Sequence, residues 1–207
     1  MQKAKGVLVI LSGPSGSGKD TVISELKKRN VDIRQSISAT TRPPREGEKD
    51  GVDYYFIDVP TFEQKIREGY FLEYVRYGSN YYGTPREAVE KLVNDGISVL
   101  LKIEVEGAGN IRNVFPDVVS VFLIPPSLDV LAKRLRGRGT ETEESFCSRF
   151  AIASHELCRA SEYDYVVIND DLDDCVKEVC SILDAEKFRY SCMKPIVDEI
   201  LKQTTTE

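Results

Sequence analysis

The sequence predicts an α/β fold, a central parallel sheet flanked by helices with a small subdomain of strands inserted into it. Three observations carry the prediction. Short apolar runs ("VLVIL", "SVLLKIEV", "VVSVFLI", "YVVIN") alternate with stretches of helical period along most of the chain, and strands that alternate with helices pair in parallel. The first run leads through a glycine-rich turn straight into a helix. Residues 38–84 break the rhythm, being rich in tyrosine, proline and glycine with little helical period.

Taken in order, residues 7–11 read as a buried strand, 19–29 as the helix it feeds, and 33–37 as a short strand. Within the insertion, "PTFEQKIREG" is a short helix, with Pro60 near its start and Gly69 at its end. The α/β rhythm resumes with a helix over 86–95, a strand over 98–105, a helix near 107–113 and a strand over 118–124. A helix over 128–136 follows, then the polar loop "GRGTETEE", a longer helix over 143–161, the last core strand at 165–169 and a closing helix over 172–190. The expected organisation is one domain over 1–207. Its core comprises 6–37 and 85–190, its insertion 38–84, its lid about 130–155, and 191–207 form a C-terminal tail.

The bulk properties exclude several classes. With 207 residues, 41% of them hydrophobic, the chain can bury one sizeable core. A net charge of -6 argues against a nucleic-acid or acidic-membrane surface, so bound anions must be met by local Arg and Lys clusters. The five cysteines lie in the C-terminal half without close paired spacing, as expected of reduced thiols rather than a metal site. The early apolar run is too short for a signal core or a membrane span, so a cytoplasmic location is expected.

The turn "GPSGSGKDT", Gly13 to Thr21, fits the phosphate-loop pattern G-x-x-x-x-G-K-[ST] everywhere except its last position, where Asp20 replaces a hydroxyl. Glycines there let backbone N–H groups surround phosphate oxygens, and the following helix points its positive end at them. Placement between an apolar strand and an amphipathic helix separates this motif from an ordinary glycine turn. In "SATTRPPREGEKDGVDYYF", Arg42 and Arg45 flank a stiff Pro-Pro pair. Two guanidinium forks in one loop suit a phosphate or a carboxylate, although such a loop alone reads equally well as a solvated basic turn. Tyr54 and Tyr82 could add neutral donors.

Behind the phosphate loop, "SATTRPPREGE", "NYYGT", "EVEG", "GRGTETEES" and "YDYVVINDDLD" occur in this order. With these motifs the chain resembles the guanylate kinases, which move a phosphoryl group from ATP to GMP, from about residue 6 to residue 184. The resemblance implies a P-loop kinase fold with an inserted GMP-binding subdomain and a lid. It places ATP on Gly13, Pro14, Ser15, Gly16, Ser17, Gly18, Lys19, Asp20 and Thr21, with Asn169 and Asp170 on the adenine side. It places GMP on Ser38, Arg42, Arg45, Tyr54, Glu73, Tyr82, Thr84 and Glu104. Lys19, Arg42, Arg134, Arg138 and Arg149 would stabilise the transferring phosphoryl group; without the resemblance, the last three read as a basic helix end and its neighbour. Glu73 would accept from the N1–H and N2–H of guanine, and Ser38 would donate to O6. Arg136 has no assigned role, and His155 reads as a helix-surface residue. The implied partners are ATP and GMP with Mg2+ as the cofactor, no nucleic acid and no membrane, in a monomer or homo-oligomer.

Two residues depart from the family pattern. Asp20 puts an acid where a hydroxyl belongs, and Lys102 puts a base where the family usually has an acid. The expectation is that the two face each other and that Asp20 supplies the metal-side carboxylate; the alternative is an acid in a first helical turn, favoured only by the dipole. Strand alternation would bring Lys102, Glu104 and Glu106 to one face. A peptide-binding module related to kinases would have eroded the phosphate loop, whose Lys19 and glycines are kept here, and a kinase for another monophosphate would not need Ser38 with Glu73.

Overall fold

The computed structural model describes residues 3–29, 31–137 and 143–204. Its centre is a five-stranded, all-parallel sheet in the order β2-β7-β1-β8-β9. The strands are β1 (Leu8–Ser12), β2 (Arg34–Gln35), β7 (Val99–Lys102), β8 (Val119–Ile124) and β9 (Tyr165–Ile168). β1 is buried along its whole length, and its alternate residues serve two cores. Val9 and Leu11 pack with Val22 and Leu26 of α1 (Lys19–Lys28) and with Val176 and Val179 of α7 (Leu172–Glu186). Leu8 and Ile10 pack on the opposite face with Val89 of α3 (Arg86–Asn94) and Ile111 of α4 (Val105–Val114). A strand covered on both faces must be apolar at every position, which is why it reads as a continuous run.

The insertion is a second sheet, order β4-β3-β6-β5, built from β3 (Ala39–Thr40), β4 (Tyr55–Phe56), β5 (Phe71–Tyr77) and β6 (Asn80–Pro85), with α2 (Val59–Arg67) against it. Asp58 caps α2 by accepting from Thr61 N at 2.8 Å, Pro60 sits in its first turn, and Gly69 follows its end at φ 68°. These are the start and stop signals of the sequence, used where expected. Phe62 of α2 is fully buried between Phe71 and Tyr81, at centroid distances of 4.4 and 5.2 Å. This stack is the core of a subdomain too small for another.

Three expectations are corrected. β7 ends at Lys102, Glu104 is the N-cap of α4 and Glu106 lies in its first turn, so no strand alternation relates these three residues. Gly107 explains the early helix: a Cβ there would come within 2.6 Å of Ile103 Cγ2 and 2.8 Å of Glu73 Oε2, so α4 can press against both. The helix expected over 143–161 is α6 (Glu143–Leu157) followed by a short 3₁₀ turn at Ala160–Glu162, with α5 (Leu128–Arg136) before it. The closing helix stops at Glu186, and the expected tail is mostly a further helix, α8 (Tyr190–Thr204). No helix among the described residues is long and apolar enough to cross a membrane.

Because Phe62 carries the insertion's core, Phe62→Ala is expected to destabilise that subdomain by about 3–5 kcal/mol. Hydrogen exchange should show β3, β5 and β6 losing protection while β1 and β8 keep theirs. Equal loss in both sheets would mean that the insertion does not open independently.

Candidate active site

The carboxyl ends of β1, β7, β8 and β9 meet at one edge of the parallel sheet, where such folds bind ligands. The turn leaving β1 is held there by its neighbours. Gly13 has φ 144°, and a Cβ on it would lie 2.2 Å from the Leu123 carbonyl oxygen of β8. Gly18 has φ 97°, and a Cβ there would lie 2.2 Å from Asn169 Nδ2. Asn169, buried after β9, donates that nitrogen to Ser17 O at 2.8 Å, and Arg134 of α5 donates to Asn169 O at 2.8 Å and Ser17 O at 3.4 Å. Asn169 thus braces the back of the loop, whereas Asp170 is exposed beside it.

Lys19 is buried, and its Nζ donates to Gly13 O at 2.5 Å and Pro14 O at 3.3 Å, with Glu104 Oε2 3.6 Å away. Arg149 of α6 donates to Ser15 Oγ at 2.9 Å. Arg138 lies outside the described residues. Asp20 and Thr21 are exposed in the first turn of α1. Lys102 donates to Asp20 Oδ1 at 2.8 Å, so the two departures from the family pattern do form an ion pair.

Across the cleft, Arg42 is gripped by Glu48 through two bonds of 2.9 Å, and Glu48 also accepts from Arg45 N at 2.7 Å. The Arg42 fork, then the Arg45 amide, hold the Glu48 carboxyl at about 2. The Arg42 guanidinium sits 5.4 Å from the Tyr54 ring centre, and Tyr54 and Tyr82 meet edge-on at 6.2 Å. Deeper in, Thr84 donates to Glu73 Oε1 at 2.9 Å while the buried Oε2 has no partner. Burial pushes the Glu73 carboxyl up to about 7, against the smaller opposing effect of the Thr84 hydrogen bond. A buried carboxylate with one unused oxygen is a site for a ligand's N–H donors.

Both sides open into one cleft of about 610 Å³, whose lining includes Ser15, Ser38, Arg42, Glu73, Lys102 and Arg149. The volume suits a nucleotide-sized ligand. The same wall contains two residues that sequence reading missed. Glu156 accepts from Ser15 N at 3.4 Å, its pKa raised by burial and then by the Glu104 charge, and Arg159 lies one turn further. Arg149, Ile152, Glu156 and Arg159 do recur at helical spacing, but a polar helix face is ordinarily a solvent face. Exposed His155 lines the cleft beside them. Arg136, read as unassigned surface, lies 3.9 Å above the Phe146 ring and bonds Glu143 at 3.0 Å, joining α5 to α6.

Comparison with known proteins agrees with this geometry. The family described as "Guanylate kinase" matches residues 5–186. The chain belongs to the guanylate kinase family. It is 46% identical over 199 residues to the guanylate kinase of Clostridioides difficile (strain 630), covering 96% of this chain and 97% of that one. It is 50% identical over 176 residues to that of Prochlorococcus marinus, covering 85% and 96%. The crystal structure of guanylate kinase from Anaplasma phagocytophilum superposes with a TM-score of 0.75 at 32% identity, over 92% of this chain and 91% of that one. As a guanylate kinase, the protein is an ATP:GMP phosphotransferase.

A ligand whose N–H donors meet Glu73 would bind in a pH-dependent way. Glu73 has a folded-state pKa above the ordinary 4.5, so it is protonated in the free enzyme below about 7 and ionised above. Its stabilising contribution is complete below 4.5 and is lost as pH rises through 7, where the guanine donors repay the buried charge. The kcat/KM for GMP is therefore expected to rise with pH through about 7. Glu73→Gln should lower it and remove that step, leaving only the titration of GMP itself. An identical profile in both enzymes would show that Glu73 does not face the base.

Proposed function

We propose that GMP binds with its guanine edge at Glu73, Thr84 and Ser38 and its phosphate at Arg42, Arg45, Tyr54 and Tyr82, with Glu104 alongside. ATP lies along residues 13–21, with Asp170 and Asn169 toward its adenine. The observation that carries this reading is the half-satisfied buried Glu73 in the same cleft as Arg42, opposite the loop that carries Lys19. Guanine's adjacent N1–H and N2–H fit a carboxylate, whereas adenine turns a lone pair toward it. The site thus accepts GMP and dGMP and leaves buried groups unpaired with AMP, a discrimination of roughly 10⁴-fold or more.

A GMP phosphate oxygen attacks the γ-phosphorus of ATP. One P–O bond forms, the bond to the β,γ-bridging oxygen breaks, and ADP leaves with the bonding pair. That oxygen is already anionic, so no general base is required and catalysis consists of positioning and charge stabilisation. Lys19, Arg42, Arg134, Arg138 and Arg149 supply the positive charge. Glu48 yields Arg42 to the incoming phosphate. The donor set fits Mg2+: this ion takes one or two carboxylates together with substrate phosphates and water, and Asp20 is an exposed carboxylate in the first turn of α1, directly after the phosphate loop. Asp20 would hold it, directly or through water. When bound, the ion would supply positive charge that offsets the charge of the phosphate oxygens. The five free cysteines fit a reducing, cytoplasmic setting.

A coupled assay of ADP formation with GMP, dGMP, AMP, UMP and dTMP as acceptors tests the reading. GMP and dGMP should turn over, and comparable kcat/KM for AMP would overturn it. Arg42→Ala should weaken GMP and slow turnover by about 10²-fold or more, since it removes a preorganised cation. Arg136→Ala should cost roughly 0.5–1 kcal/mol of lid stability and leave the KM for GMP unchanged. Matching kinetic losses in the two variants would reverse this sorting of the arginines.

A further inference from the structure

Lys102 is paired with a far more exposed acid, a pairing that adds little stability. Its side chain is 28% exposed, whereas that of its partner Asp20 is 77% exposed. An ion pair with one member in water contributes about 0–1 kcal/mol, while covering the amine opposes its charge. Burial is the largest influence on Lys102 and lowers its pKa, but the combined pull of Tyr54, Asp20 and Glu104 more than offsets this, so it stays a cation. A neighbouring pair repeats the arrangement: Glu104, 59% exposed, lies 3.6 Å from the buried Lys19. In both pairs the acid can turn out to water and the base cannot. A dianionic phosphate entering the cleft would displace the exposed carboxylate and leave the lysine in place.

The two lysines serve different sides. Lys19 is folded into the phosphate loop on its own carbonyls. Lys102 stands at the end of β7 on the cleft wall with Tyr54, whose ring also packs beside Arg42 and Tyr82. Resting on the acceptor reading above, we propose that Lys102 binds the phosphate of the acceptor nucleotide, as a fixed cation that Asp20 neutralises until that phosphate arrives. Asp20 is then released toward the metal side. The exchange of acid and base between these two positions thereby adds a phosphate ligand to the acceptor site.

Calorimetric binding of GMP and of guanosine, without ATP or magnesium, separates this role from a merely structural one. A charge-assisted bond to phosphate corresponds to roughly tenfold or more in affinity. Lys102→Met should therefore weaken GMP at least about tenfold and leave guanosine unchanged, and Lys102→Arg should retain most of the GMP affinity. Asp20→Asn, which keeps Lys102 and frees its amine, should tighten GMP without affecting guanosine; this arm holds even if Lys102→Met folds poorly. The double variant should resemble Lys102→Met. Recovery of wild-type GMP affinity in the double variant, or equal changes for GMP and guanosine, would overturn the proposal. If the unaltered enzyme phosphorylates GMP while these arms show no phosphate-specific effect, the proposal alone fails. If it does not phosphorylate GMP, the acceptor reading has failed first.

Discussion

A cleft that must bind two polyanions needs several cations close together, and like charges in a half-covered space repel strongly. This constraint organises the site. Lys19 rests on the Gly13 and Pro14 carbonyls, Arg134 on those of Ser17 and Asn169, Arg149 on the Ser15 hydroxyl, Arg42 on Glu48 and Lys102 on Asp20. Each positive charge is held by an oxygen of the protein in a geometry a phosphate oxygen can take over. Carboxylates offset the charge of Arg42, Lys102 and Lys19, and neutral acceptors position Arg134 and Arg149 in advance. Positioning of this kind is what phosphoryl transfer requires, since the protein contributes little covalent chemistry.

The frame follows from the same need. The phosphate loop works only where its backbone can approach other backbone closely, and Gly13 against the Leu123 carbonyl and Gly18 against Asn169 provide that approach. Both contacts come from strands β8 and β9, more than a hundred residues away, so the loop is shaped by the sheet as much as by its own glycines. The insertion is tied in separately. Gly107 in the first turns of α4 lets that helix lie against Glu73, which brings the proposed base-reading residue of one sheet to the carboxyl edge of the other.

Much of this was legible in the sequence because the signals were local. β1, α1, α5 and the ends of α2 are set by apolar runs, glycines and a first-turn proline within a few residues of each other. The pairing of Asp20 with Lys102 was legible for a different reason: two departures from a family pattern compensated in charge. What could not be read was long-range. The end of β7 at Lys102 depends on α4 packing against Glu73, and extending the strand to residue 105 followed an apolar alternation that the first turn of α4 also satisfies. The cleft-facing side of α6 looked like a solvent face, because nothing near Glu156 in sequence indicates that Ser15 will stand opposite. α8 lies beyond the family match and lacked a motif to anchor a reading.

Glu73 shows how selectivity is built from a locally unfavourable arrangement. Among the described residues its buried Oε2 has no donor, and burial drives its pKa up to about 7. An apolar residue would stabilise that wall more, but would bind any purine. The same atom that weakens the empty site penalises every base lacking two adjacent donors, since such a base would leave it unpaired and exclude the water that could serve it. On the proposed reading, specificity for guanine and reduced stability of the free pocket are therefore one property of one carboxylate. The Thr84 hydrogen bond to Oε1 limits the penalty to a single oxygen and fixes which oxygen remains to be matched.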